Sequence, residues 1–426
     1  MRRPLFTRIL AVAASATLIA GCGSTDRGDQ TGPKTIKLWT HAAGNPEELA
    51  TVLQIVNDFN ASQQEYRVVH EAFPQGAYND AVTGAAAAGR LPCVLDADGP
   101  VVPNWAWAKY LAPLGLPRST TDKFLPSTVG KYKDTIYAIG HFDAAVGIYG
   151  RKSVLRKHGI RIPTIDTPWT LQEFDAALVK LKNEGRFDYA IDLGTGGGGE
   201  WWPYAFSPLL QSFGGDLIDR SSMTTAEGAL NGPAAVKWGE WWQSLFQRRL
   251  ANPSEATDRV AFLNGKAALA WDGNWGARDA IEKYGDDLVI LPPPDLGTGP
   301  KIGGASWQWA ITSSCEEQEG ARRYLEFSLN PKYIARFSDK VGLIPATEEA
   351  AALTKSYRQG GELRVFVDFS RRFAVVRPPT PAYPVISSVF EKAAQDITNG
   401  AAVKTRLDAA VDEIDANVAS NGNYGF

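Results

Sequence analysis

Nine tryptophans fall at presumed strand ends, in loops or at chain crossings: Trp39, Trp105, Trp107, Trp201, Trp202, Trp271, Trp275, Trp307 and Trp309. Close to them in sequence stand Asp98, Asp143, Glu200, Asp272, Asn274 and Arg377. An indole plane covers the C–H face of a sugar ring, and carboxylates, amides and guanidinium groups satisfy its belt of hydroxyls. The two residue sets together imply recognition of a carbohydrate by stacking and hydrogen bonding. Trp238, Trp241, Trp242 and Leu245 behave differently. They recur at i, i+3, i+4 and i+7, one stripe of a helix, and are expected in a core.

Catalytic chemistry finds few carriers. The chain has four histidines, His41, His70, His141 and His158, and no HExxH, GxSxG or kinase motif. No CxxC or Cys/His spacing suits zinc, so no metal and no cofactor is expected. Two carboxylates close enough for glycoside hydrolysis remain a geometry that sequence leaves open. His41 and His141 lie near the favoured loops, where either a structural hydrogen bond or a ligand contact would fit. Gly194 to Gly199 contains GxGxxG, but Glu200-Trp201-Trp202-Pro203 follows, and bulky rings would crowd a pyrophosphate. The loop is read instead as one that carries Glu200, Trp201 and Trp202 over a cleft, or as a surface loop whose rings tuck into the domain.

The elements that must position these residues read as α/β. With 426 residues, two domains are the default, and a formal charge of −3 gives no reason to expect a nucleic-acid partner. Thr35–Thr40, Tyr66–Phe73 and Pro92–Asp96 are expected strands. Between them lie a helix behind the start signal Asn45-Pro46-Glu47-Glu48 and an Ala-rich helix over Asn79–Ala88. This β-α-β-α-β order implies a parallel sheet, whose ligand loops follow the carboxyl ends of the strands. Thr135–Tyr149 reads as a long extended crossing and Trp307–Thr312 as a second one. Thr170-Leu171-Gln172-Glu173 is a capping box, Tyr189–Leu193, Ala267–Trp271 and Leu288–Leu291 are further strands, and Val403 to Val418 marks a late amphipathic helix.

The first 21 residues read as a targeting segment: Arg2, Arg3 and Arg8, then a short apolar run to Ala20. Ile19-Ala20-Gly21-Cys22 resembles the lipobox of bacterial lipoproteins, which implies cleavage before Cys22 and lipidation of its sulfur. Residues 22–33 then form a polar tether. Cys93 and Cys315 remain, either paired or as two buried thiols.

Beyond residue 34 the chain resembles the extracellular solute-binding proteins of family 1, the maltose- and trehalose-type binding proteins of ABC importers. The resemblance rests on IKLWTHAAGNPEE, YAIGHFDAAVGIYGRK, GGGGEWWPYAFSPLLQSFGGDLID, FLNGKAALAWDGNWG, GGASWQWAIT, VGLIPA and RPPTPAYPVISSVFEKAAQDITNG, in that order. It implies a two-lobe periplasmic-binding-protein fold with strand crossings forming a hinge. The lobes would be 34–143 with 309–345, and 144–308 with 346–426. It further implies that His41, Asn45, Asp98, Trp105, Asp143, Glu200, Trp201 or Trp202, Trp271, Asp272, Trp275, Gly304, Trp307, Arg377 and Tyr383 surround the ligand. The expected partners are a carbohydrate, as a disaccharide or oligosaccharide, and the permease subunits of an ABC transporter. The protein would be an extracytoplasmic monomer attached to the cell membrane through Cys22. The first loop, HAAGN, lacks the charges common in maltose-type members, which leaves the sugar undetermined. A glycerophosphodiester-like cargo and a surface glycoside hydrolase are the rival readings.

Overall fold

The structure is a computed structural model that describes residues 32–304 and 306–426. The expected leader, Cys22 and the tether up to residue 31 lie outside the described residues. None of the described helices is long and apolar enough to cross a membrane.

The strands run in chain order as β1 (Lys34–Ala43), β2 (Tyr66–Pro74), β3 (Val94–Asp98), β4 (Val129–Tyr132), β5 (Thr135–Ile139), β6 (Phe142–Asp143), β7 (Val146–Arg151), β8 (Tyr189–Asp192), β9 (Ala267–Gly273), β10 (Leu288–Leu291), β11 (Ile302–Gly304), β12 (Trp307–Ile311), β13 (Ile344–Pro345) and β14 (Ala374–Val376). A six-stranded sheet has the order β2-β1-β3-β12-β5-β4. Its first three strands are parallel, joined by helices Pro46–Ser62 and Gln75–Ala87, and β12 enters antiparallel to both β3 and β5. A four-stranded sheet, β10-β7-β9-β8, forms the second lobe.

Local signals explain where these elements begin. The Asn45 side chain accepts from the Glu48 N–H at 3.3 Å, with Pro46 in the first turn. Thr170 and Glu173 exchange both capping-box bonds, at 3.2 and 3.0 Å. Side-chain alternation then sorts the first sheet onto two cores. Trp309 and Ile311 of β12 join Tyr324 and Phe337 on one face, while Ala310 joins Leu95, Ala97, Tyr78 and Trp105 on the other. In the second lobe, Trp238, Trp242 and Leu245 on helix Pro233–Gln247 are buried as the stripe requires.

The segment expected to run extended from Thr135 to Tyr149 breaks into β5, β6 and β7. Its first part belongs to one sheet and its last to the other, so a continuous strand would have to obey two ladders at once. The short β6 resolves this by pairing with β13, where the chain passes the hinge region again. Helix Trp201–Phe213 opens directly after the glycine-rich loop. Protein groups already fill the loop: Trp202 Nε1 donates to Gly197 O at 2.7 Å, and Gly199 N donates to Glu391 Oε1 at 2.7 Å.

The second lobe reaches back to the first through the chain's last residues. Helix Val403–Ser420 packs in the second core, yet the Tyr424 ring meets Trp107 edge-on at 4.9 Å. Tyr132 Oη donates to Tyr424 O at 3.2 Å, and Lys133 Nζ to Gly425 O at 3.1 Å.

Cys93 and Cys315 form a disulfide, which settles the alternative that sequence left open. It joins chain segments 222 residues apart at one end of the β3–β12 ladder. Closing so long a loop restricts the unfolded chain, so Cys93→Ser with Cys315→Ser should cost about 2–4 kcal/mol in urea unfolding. Reductant should lower the wild-type midpoint and leave the double variant unchanged. His141 gives a second prediction. Burial between Trp309 and Phe337 pushes its pKa down to about 3, from an ordinary 6.5. The imidazole is neutral in the fold and charges once unfolded. Its contribution is therefore complete above pH 6.5 and is lost as pH falls toward 3. Unfolding free energy should drop by roughly 2–3 kcal/mol on this account between pH 7 and 4.5. His141→Gln should flatten that part of the pH dependence.

Candidate ligand-binding site

The carboxyl end of β3 delivers Asp98 to the gap between the lobes, and the turn after β14 delivers Arg377 from the other side. Arg377 is 3% exposed. Its Nη2 meets Asp98 Oδ1 at 3.3 Å, and its Nη1 donates to Glu200 at the start of helix Trp201–Phe213. Burial by itself would weaken the guanidinium's hold on its proton, but Asp98 and Glu200 outweigh it and raise the pKa further. Glu200 also accepts from Tyr383 Oη and, at 2.7 Å, from Ser387 Oγ, both on helix Tyr383–Thr398. Its side chain keeps about a third of its surface accessible, yet desolvation by surrounding protein raises its pKa despite Arg377.

Rings assemble beside this cluster. Trp201 and Tyr204 lie three residues apart on one helix face. The Trp201 ring meets Trp275 edge-on at 6.1 Å, and Tyr204 meets Trp275 at 6.2 Å. The Arg377 guanidinium lies 5.2 Å from the centre of the Tyr204 ring. Among the described residues, the Tyr204 hydroxyl is buried with no hydrogen-bond partner. Asp143, wholly buried at the hinge, accepts from Ser127 Oγ at 2.7 Å and Ser370 Oγ at 2.5 Å, one donor from each lobe. Gly304 ends β11 nearby, against Ala374 and Ser127.

Trp275 is seated by backbone and by a buried ion pair. Its ring lies on Gly273, where an added Cβ would come within 1.9 Å of the ring. Arg259 Nε meets Asp272 Oδ2 at 2.8 Å, with the guanidinium filling the space that a side chain at Gly276 would need. Burial pushes Asp272 up to about 6, with Arg259 opposing.

His41 and Trp307 form a separate group inside the first lobe. Their rings stack at 3.7 Å and 9°. His41 Nδ1 lies 2.6 Å from Asp96 Oδ2, and Nε2 lies 3.5 Å from Glu48 Oε1. Burial opposes the imidazolium, but Asp96 and Glu48 prevail and raise its pKa.

The expected residues therefore divide. Asp98, Asp143, Glu200, Trp201, Trp275, Gly304, Arg377 and Tyr383 gather around the gap. His41 and Trp307 pair with one another beside the end of β3. Asn45 remains exposed and is committed to Glu48, bonding both its backbone and its carboxylate. Four positions are engaged elsewhere in the structure. Trp105 is buried under the first sheet with Tyr78 and Leu95. Trp202 packs on Phe206 and Trp242, and Trp271 donates to Ala205 O at 3.1 Å within the second core. Asp272 is taken by Arg259. Trp105, Trp202 and Trp271 are held by packing within a core, and Asp272 by its ion pair. Sequence reading missed Tyr204, Ser127, Ser370 and Ser387. The i, i+3 spacing of Trp201 and Tyr204 was the available signal for the first; a serine hydroxyl leaves none.

Comparison with known proteins follows this geometry. A family model for bacterial extracellular solute-binding proteins matches residues 54–364. An uncharacterized lipoprotein in the oleD 5′ region of Streptomyces antibioticus is 23% identical over 378 residues, 81% of this chain and 77% of that one. The sn-glycerol-3-phosphate-binding periplasmic protein UgpB of Yersinia pestis is 23% identical over 355 residues, 77% of each chain. Among solved structures, the cyclic α-maltosyl-1,6-maltose binding protein from Arthrobacter globiformis has the same fold, with a TM-score of 0.75 at 21% identity, covering 91% of this chain and all of that one. With a family model matched across most of its length and the two-lobe architecture that goes with it, the chain belongs to the bacterial extracellular solute-binding proteins.

Proposed function

We propose that this protein captures a carbohydrate, a disaccharide or oligosaccharide, between its two lobes and hands it to the permease of an ABC importer without breaking a bond in it. One observation carries the reading: a platform of Trp201, Tyr204 and Trp275 adjoins a buried polar cluster drawn from both lobes, Asp98, Glu200, Arg377 and Tyr383. Rings offer faces for C–H surfaces and the cluster offers acceptors and donors for hydroxyls. The Tyr204 hydroxyl, buried and without a partner, is one such donor and acceptor. The Arthrobacter protein of the same fold, named for a cyclic maltosyl-maltose, agrees in ligand class.

The segments expected as 34–143 with 309–345, and 144–308 with 346–426, act as the two bodies, with the later boundary moved to Trp307, where β12 enters the six-stranded sheet, and the crossings between them as the hinge. Contacts made only when the lobes meet favour the shut state once the ligand bridges them. The chain works outside the cytoplasm as a monomer held to the membrane by lipid on Cys22, with residues 23–33 as its tether. The glycerol-phosphate name of the Yersinia relative supports the alternative of a phosphorylated polyol cargo. A glycoside hydrolase would release reducing ends from an oligosaccharide panel, and none is expected.

Calorimetry against that panel tests the site. Trp275→Ala should weaken binding of the preferred sugar by about tenfold or more, since a stacked ring is worth roughly 1 kcal/mol beyond its buried area. Asp143→Ala should weaken it comparably; unaltered affinity in both variants would remove the site from this gap. Gly273→Ala examines positioning rather than contact. Its Cβ displaces the Trp275 ring, so affinity should fall although no liganding group is lost, with an overpacking penalty of about 1–3 kcal/mol in urea unfolding.

A further inference from the structure

A second hollow lies between the lobes, beyond Arg377. Its volume is about 330 Å³, within the range of small-molecule sites. The first lobe contributes Gly130, Lys131, Lys133 and Gln308, and the second contributes Met223, Arg377 and the prolyl ring of Pro379. Arg377 thus borders both this hollow and the polar cluster with Asp98 and Glu200.

Its charge is one-sided. Among the described residues, three cationic side chains line it and no Asp or Glu does. The carboxylates that balance Arg377 are not among its walls. Lys133 Nζ donates to the Gly425 carbonyl and lies 5.6 and 5.7 Å from the centres of the Tyr132 and Phe426 rings, so only neutral groups face it among the described residues. Among the described residues neither Lys131 nor Lys133 forms an ion pair. The remaining wall is largely apolar, which keeps the local dielectric low and strengthens any charge pair formed inside.

A polar group also waits there. Gln308 is 2% exposed and its Nε2 donates to Ser127 O at 3.1 Å, which fixes the orientation of the amide. Oε1 is then left buried with no donor. It lies beside Gly130, where an added Cβ would stand 2.3 Å from it. A buried carbonyl oxygen without a donor is destabilising unless something arrives to donate.

We propose that this hollow is a second compartment of the binding site that takes an anionic group, a phosphate or carboxylate borne by the polyol cargo. Lys131 and Lys133 face the anion, and Gln308 Oε1 accepts from a hydroxyl next to it. The proposal rests on the carbohydrate reading above and narrows it to acidic members of that class.

Calorimetry at low salt with matched pairs tests it: glucose against glucose 6-phosphate and glucuronate, glycerol against glycerol 3-phosphate, and maltose against its aldonate, maltobionate. The anionic member of a pair should bind about tenfold tighter, and the advantage should shrink as salt screens it. Lys131→Glu should abolish the advantage of the anionic member, and Lys131→Arg should keep it. Preference for the phosphate ester over the free carboxylates identifies which anion the hollow fits. Inorganic phosphate should compete with the anionic member and not with the neutral one. Equal affinities within every pair, or an advantage that survives Lys131→Glu, would overturn the compartment and leave carbohydrate capture standing. Failure of every compound to bind the wild type would overturn both.

Discussion

A single guanidinium held between two carboxylates from opposite lobes sets the terms for this molecule. Taking Arg377, Asp98 and Glu200 out of water is costly, and each is tolerable there only because the others are present. Tyr383 and Ser387 supply further donors to Glu200, so the acid is held from helix Tyr383–Thr398 as well. The arrangement requires the lobes to be together: withdraw Asp98 with the first lobe, and Arg377 loses that carboxylate. Closure and buried charge are therefore one problem in this fold. Asp143 poses the same problem at the hinge, with one serine hydroxyl from each side.

Aromatic rings divide according to the backbone that carries them. On helix Trp201–Phe213, Trp202 packs on Phe206 and Trp242, while Trp201 and Tyr204, the latter itself part of the second core, approach Trp275. Along β9, Trp271 is buried, and only where the strand ends and turns does Trp275 leave the core. The Arg259–Asp272 pair beneath that turn does not meet ligand geometry itself; it fills the space that fixes the turn. Rings that look equivalent by residue type thus have opposite fates within one or four positions of each other.

Much of the architecture was legible in the chain. The β-α-β-α-β opening, the Asn45 cap, the Thr170 capping box and the Trp238–Trp242–Leu245 stripe all appear where local rules place them, because each depends on neighbours within a few residues. The breaks in the first crossing did not show in the sequence, since Gly140 to Ala145 obey two sheets and a partner strand at Ile344–Pro345, far along the chain. The Cys93–Cys315 bond was undecidable for the same reason: it depends on β12 lying beside β3.

What the sequence by itself determined is a set of ingredients: a two-lobe α/β chain of a solute-binding kind, rich in indoles and acids, without the motifs of a catalyst. Only the tertiary structure decided which indoles meet, that Arg377 stands between Asp98 and Glu200, and that Tyr204 and the serines join them. Local sequence fixes backbone periodicity, whereas the side of an element that faces a gap is fixed by what packs on its other side. That second fact is made from contacts hundreds of residues apart, and no window along the chain contains it.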